Sequence, residues 1–281
     1  MHKLIERPQL EQEVRKNLKL FPVTAIIGPR QAGKTTLARQ IAQPGGAEYI
    51  DLEDPRSRER LRSPMTTLER LQGLVIIDEV QLQQDLFPLL RVLADRQPLK
   101  AKFLILGSAS PDLIRASSET LAGRIGYVDI GGFDLSEVGY DRMHRLWLRG
   151  GFPPAFLSPD DAASQLWRDN FIRTFLERDL RLYGIETAPE GLRRFWNMLA
   201  HHHGQLWNGS EIGRSLNASH PTMRRHLDIL TGAFMVRQLQ PYYANISKRQ
   251  VKSPKVYIRD SGLFHSLLRI DSLAALESHP K

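Results

Sequence analysis

One short stretch restricts the fold more than any other part of the chain: Gly28, Pro29, Arg30, Gln31, Ala32, Gly33, Lys34, Thr35 and Thr36 carry the pattern G-x-x-x-x-G-K-[ST], followed by a second threonine. An apolar, strand-forming run at 23–27 precedes it, and a helix-forming run at 35–42 follows, stopped by Pro44, Gly45 and Gly46. A strand, a glycine-bounded loop and a helix in that order form a phosphate-binding turn. Glycine at both ends lets the backbone curl until successive N–H groups face one anion. The helix N-terminus adds its dipole. Lys34 is placed to bring a positive charge to the β- and γ-phosphates, and the Thr35 hydroxyl to reach Mg²⁺. The expected ligands are ATP or ADP with Mg²⁺.

A second feature supplies the other half of such a site. Leu74, Val75, Ile76 and Ile77 form an apolar strand that ends in Asp78 and Glu79. The C-terminal end of a strand is where a parallel sheet binds ligands. Asp78 is the candidate Mg²⁺ carboxylate, and Glu79 the candidate base for a water attacking the γ-phosphate. A further apolar strand at 103–106 ends in Gly107, Ser108, Ala109 and Ser110. There Ser108, with Ser110 behind it, is a candidate to sense the γ-phosphate; an ordinary serine-rich turn reads the same way. Arg124, beside Gly123, is a candidate to neutralise transition-state charge, in its own chain or across a subunit interface. A structural ion pair competes with that role.

Strand candidates at 23–27, 48–52, 74–77, 103–106 and 124–130 alternate with helical stretches, including one at 86–96. That alternation predicts an α/β fold, a parallel sheet with helices on both faces. The pattern changes after about residue 135. Residues 166–183 read as one long helix with Trp167, Phe171, Phe175 and Leu176 as an apolar stripe, and 192–202 as another. Residues 211–216 and 220–230, joined by Asn217, Ala218 and Ser219, have helix-turn-helix spacing, with Ser210 as the expected N-cap of the first. Strand candidates at 235–239 and 255–258 complete a winged helix. Arg224, Arg225, Lys248, Arg249 and Lys252 form a candidate set of DNA-phosphate contacts. Winged helices also serve as lids or packing modules, so the basic residues have two readings. His201, His202 and His203 point in three directions around a helix and read as a helix end rather than a metal site.

Composition sets the outer limits. The chain has 281 residues, 41% hydrophobic, enough for a substantial core. It has no cysteine, which excludes disulfides, thiolate catalysis and cysteine-ligated zinc. The net charge of +8 is spread through the chain, compatible with nucleic acid without requiring it. The first twenty residues are charged throughout and lack a signal-peptide core. No apolar run approaches a membrane span. The expected setting is the cytoplasm, away from membranes.

Residues 28–36, 49–54 and 77–81 together resemble the AAA-type ATPases of bacteria and archaea that carry a C-terminal domain of unknown function. Residues 107–110, 121–124, 176–180 and 254–263 fit the same family, and the resemblance runs from about Leu4 to Leu268. It implies a P-loop NTPase sheet followed by a helical segment and a winged-helix domain. It carries ATP and Mg²⁺ binding onto Lys34, Thr35, Asp78 and Glu79, and more loosely carries roles onto Ser108 and Arg124. The expected division is a P-loop core over 1–140, a helical lid or linker over 141–204, a winged helix over 205–270 and a tail over 271–281. Members of the family usually continue into a restriction-endonuclease-like region, whereas this chain stops at Lys281; a truncation is the expectation, and no nuclease function is assigned. The function read from all this is a Mg²⁺-dependent ATP hydrolase acting as a switch, with assembly of several copies compatible. The alternative is a nucleotide-gated DNA-binding module with negligible turnover.

Overall fold

The structure, a computed structural model, describes residues 4–43, 45–108, 117, 119–182, 184–242 and 253–279. Ser110, Lys248, Arg249 and Lys252 lie outside the described residues. The chain divides into two units, residues 3–131 and 132–281.

In the first unit the apolar runs become β1 (Val23–Gly28), β2 (Glu48–Asp51), β3 (Gly73–Asp78), β4 (Ala101–Ser108) and β5 (Ile125–Asp129). They pair in parallel in the order β2-β3-β4-β1-β5. Side chains alternate between faces. Ile26, Ile76, Leu104, Leu106 and Val128 turn to one face and pack with Val14 of α1 (Pro8–Leu20) and Leu37, Ala38 and Ile41 of α2 (Lys34–Ala42). The alternate residues Ala25, Ile27, Val75, Ile77, Phe103 and Ile105 are equally buried. Strand order explains why both faces need cover. The connection from β1 through α2 to β2 runs one way across the sheet, and that from β3 through α3 (Leu86–Ala94) to β4 runs the other. Right-handed crossovers in opposite directions put their helices on opposite faces. One consequence matters for the site: β4 separates the strand of the glycine loop from the strand of the two carboxylates.

The second unit is mostly helical. It contains α4 (Met143–Arg149), α5 (Asp161–Thr174), α6 (Pro189–His201), α7 (Gly209–Leu216), α8 (His220–Gly232), an antiparallel pair of β6 (Val236–Leu239) and β7 (Lys255–Ile258), α9 (Ser261–Leu268) and α10 (Leu273–Ser278). The long helix expected at 166–183 is interrupted: α5 passes into a π turn, Phe175–Asp179, and then Leu180–Leu182. The wider turn inserts a residue into the helical frame and leaves Phe175, Leu176 and Leu180 all buried. The aromatic stripe is core, with Phe171 stacked between Trp167 and Phe175 and Phe175 edge-on to Trp196. Helices α7 and α8 and strands β6 and β7 follow one another in the chain. Asn208, not Ser210, caps α7 by accepting a bond from Glu211 N–H at 3.2 Å. Asn217 takes the left-handed turn at φ 52°, and Ser219 caps α8. Side chains from 141–204 and 205–270 share a single apolar cluster, with Trp196, Phe195 and Leu199 beside Ile212, Met223, Leu227 and Val256. Among the described residues, no helix is long and apolar enough to cross a membrane.

Candidate functional site

The glycine loop leaves the C-terminal end of β1 and runs into α2. Gly28 is demanded by proximity: a Cβ there would sit 2.1 Å from the Ile130 carbonyl oxygen. Gly33 is demanded by conformation, at φ 93°. It heads α2 without a side-chain cap, so the first-turn N–H groups are left for a ligand to satisfy. Lys34 is the first helical residue and 5% exposed. Its ammonium donates to Gly28 O at 3.1 Å, Pro29 O at 2.9 Å and Ser108 Oγ at 3.4 Å. Burial pulls its pKa down to about 8, against the opposing pull of Glu79 and Asp78. Arg30 turns to Glu53 and pairs with it. Thr36 is exposed on the first turn of α2.

Asp78 ends β3 at 4% exposure. Its Oδ2 accepts from the Thr35 hydroxyl at 2.7 Å and from the Tyr49 phenol, and its Oδ1 from Glu79 N–H at 2.9 Å. Burial and the Asp78 carboxylate push the Tyr49 phenol above its usual range. A hydroxyl and a carboxylate already in contact form a hard-oxygen pair of the kind that Mg²⁺ takes. With the uncapped helix start and the buried ammonium beside them, these residues fit a Mg²⁺–nucleotide complex.

Glu79 follows in the left-handed region at φ 55°, a conformation that a non-glycine residue holds only under constraint. Its carboxylate accepts from Gln81 Nε2 and from Ser108 Oγ, the latter at 3.4 Å. Gln81 Oε1 in turn accepts from Ser108 N–H at 3.2 Å. Ser108 is fully buried at the end of β4, between the two flanking strand ends. It therefore bridges Lys34 to Glu79. Lys34, Thr35, Asp78, Glu79 and Ser108 are brought together as the sequence suggests.

Arg124 is not. It precedes β5, whose first residue pairs with Val23 at the start of β1, so it lies at the opposite end of the sheet from Gly28. It makes a two-pronged pair with Asp95, at 2.5 and 2.9 Å, and a bond to Ala122 O at 3.0 Å. The reading of Arg124 as a catalytic group in its own chain is corrected: the strand's length separates it from the phosphate loop. On α8, Arg224 pairs with Asp228 one turn on, and Arg225 donates to Glu186 O at 3.2 Å. His203 Nδ1 accepts from Ile258 N–H at 3.2 Å, and its ring packs on Phe264. Sequence reasoning missed three contributors. Tyr49 and Gln81 lie inside stretches that resemble the family, yet only the fold puts them on Asp78 and Glu79. Arg7, which donates to Ala32 O within the loop at 3.1 Å, sits far from any motif.

Residues 20–139 match the AAA domain family, and residues 140–274 match a family described as a domain of unknown function (DUF8612). The uncharacterized proteins Mb2031c of Mycobacterium bovis and Rv2008c of Mycobacterium tuberculosis are each 51% identical over 278 residues, 99% of this chain. The chain spans 63% of the length of each. The Walker-type ATPase PABY2304 of Pyrococcus abyssi, a solved structure, is similar over 94% of this chain and 96% of its own, with a TM-score of 0.68 at 16% identity. At that identity the likeness is one of fold.

Proposed function

The chain belongs to the AAA-type P-loop ATPases that carry a C-terminal domain of unknown function, and we propose on that premise that it binds ATP with Mg²⁺ and hydrolyses it slowly, as a switch. The observation that carries this is the meeting of Lys34, Ser108 and Glu79 at the ends of three adjacent strands, beside the Thr35–Asp78 pair. Lys34 exchanges its carbonyl partners for phosphate oxygens. Thr35 and Asp78 would hold Mg²⁺, which would draw charge from the phosphate oxygens. Ser108 orients the Glu79 carboxylate. Glu79 takes a proton from a water whose oxygen bonds to the γ-phosphorus, and the electrons of the broken P–O bond leave with ADP. Glu79→Gln is expected to bind nucleotide like the parent and to lose turnover by about a hundredfold or more. A variant that hydrolyses ATP at the parent rate would remove Glu79 from the base role.

The second reading keeps nucleotide binding and makes the output DNA contact through the winged helix. Its support is the position of Arg224 and Arg225 on the exposed face of α8. Their existing partners, Asp228 and Glu186 O, weigh against it. If phosphate contacts are made, duplex affinity falls steeply with salt, log Kd changing by roughly 0.9 per contact for each log unit. Absence of binding at low salt would leave the second unit a lid or protein-docking module.

A further inference from the structure

Arg7 lies outside residues 20–139, the part that matches the AAA domain family. It caps α1: Pro8 occupies the first helical turn, and Arg7 O accepts from Glu11 N–H at 2.9 Å. Val14, fully buried, docks that helix on the sheet, which fixes where Arg7 begins. The side chain is 7% exposed. A guanidinium so removed from water is costly unless its N–H groups are used. One nitrogen, Nη1, donates to Ala32 O at 3.1 Å and to Gly131 O at 3.1 Å. Ala32 is inside the phosphate loop. Gly131 is the last residue of the first unit and follows Ile130, whose N–H is held by Ile27 O at 2.8 Å.

The peptide unit between Ala32 and Gly33 is planar and trans, so its C=O and N–H point in opposite directions. Arg7 draws the carbonyl to itself. The Gly33 N–H is thereby aimed away from Arg7, and it cannot rotate inward without breaking a charge-assisted bond. We infer that Arg7 is a positioning residue for the phosphate loop: it orients the Ala32–Gly33 peptide for anion binding and ties that peptide to the exit of β5. The inference rests on nucleotide binding at this loop. Arginine suits the task because two hydrogens of one nitrogen leave in fixed directions within a rigid plane, which a rotating ammonium cannot match.

The test compares the parent chain with Arg7→Ala and Arg7→Lys. MgADP affinity is measured by calorimetry, and amide hydrogen exchange is followed by mass spectrometry without nucleotide. Arg7→Ala is expected to weaken MgADP about ten- to a hundredfold, the worth of one or two bonds to a charged donor. Arg7→Lys, with a single flexible donor group, falls between. In both variants amides 28–35 exchange faster while those of 74–78 do not. Parent-like affinity in Arg7→Ala, or exchange quickened equally across residues 4–131, overturns the inference, the second result marking a general brace. A parent that binds no MgADP overturns the nucleotide reading instead, and the ligand-free exchange of 28–35 still decides whether Arg7 holds the loop. If Arg7→Ala does not fold, Arg7→Lys carries both measurements.

Discussion

Burying Lys34 places an ammonium where water cannot solvate it, and its pKa falls from 10.5 to about 8. Above about pH 8 the folded chain has released this proton while the unfolded chain still binds it. Stability therefore rises with pH between about 8 and 10.5, by up to about 3 kcal/mol from this group, and is flat in it on either side. Urea denaturation of Lys34→Met across that range is expected to lack the rise, and MgADP is expected no longer to stabilise the variant. A parent chain with no slope there would mean that the ammonium is better solvated than its burial implies. The same residue shows what a sequence reveals at this scale. Lys34, Thr35, Asp78 and Glu79 were legible because each sits at a fixed offset within a contiguous motif. Tyr49, Gln81 and Arg7 were not, because each meets a partner 29, 27 and 25 positions away that only the register of the sheet or the docking of α1 selects. For Arg124 the sequence left a catalytic role and a structural ion pair open, because a lone arginine beside a glycine carries no information about which end of a strand it occupies; the pair with Asp95 is the one found.

Elements were legible wherever a single period dominated. β3 and β4 are built on the continuous apolar runs 74–77 and 103–106, as parallel strands covered on both faces have to be. The π turn at Phe175–Asp179 was hidden because aromatic residues four apart suit an uninterrupted helix equally well. Nor did sequence indicate how α9 is started. Asp260 caps it, accepting from Leu263 N–H at 2.8 Å, and with its other oxygen accepts from Gly151 N–H at 2.8 Å. The carboxyl is buried, which pushes its pKa up, and it joins two segments more than a hundred residues apart. Asp260→Ala loses a cap and strands a second buried donor, so the second unit is expected to lose about 2–4 kcal/mol in chemical denaturation. Ser272→Ala removes the exposed cap of α10 and is expected to cost about 1 kcal/mol or less. Equal costs for the two would show that the link from Asp260 to Gly151 adds nothing to the cap.

For the whole molecule, the division into two units predicts two separate responses. MgADP at a hundred times its Kd is expected to stabilise the unit that binds it by about 2.7 kcal/mol. Hydrogen exchange should show that protection in residues 3–131, and protection of equal size in 132–281 would reveal coupling between the units. The two family matches meet at residues 139 and 140, and the two units at residues 131 and 132. The partition also has an optical side. All four tryptophans, Trp147, Trp167, Trp196 and Trp207, belong to residues 132–281. The phosphate-loop unit is therefore dark under excitation at the indole band, and the unit of unassigned function is the one that emits. A change in that emission when nucleotide is added is a signal sent from one unit and read out in the other, available from the native chain without any label.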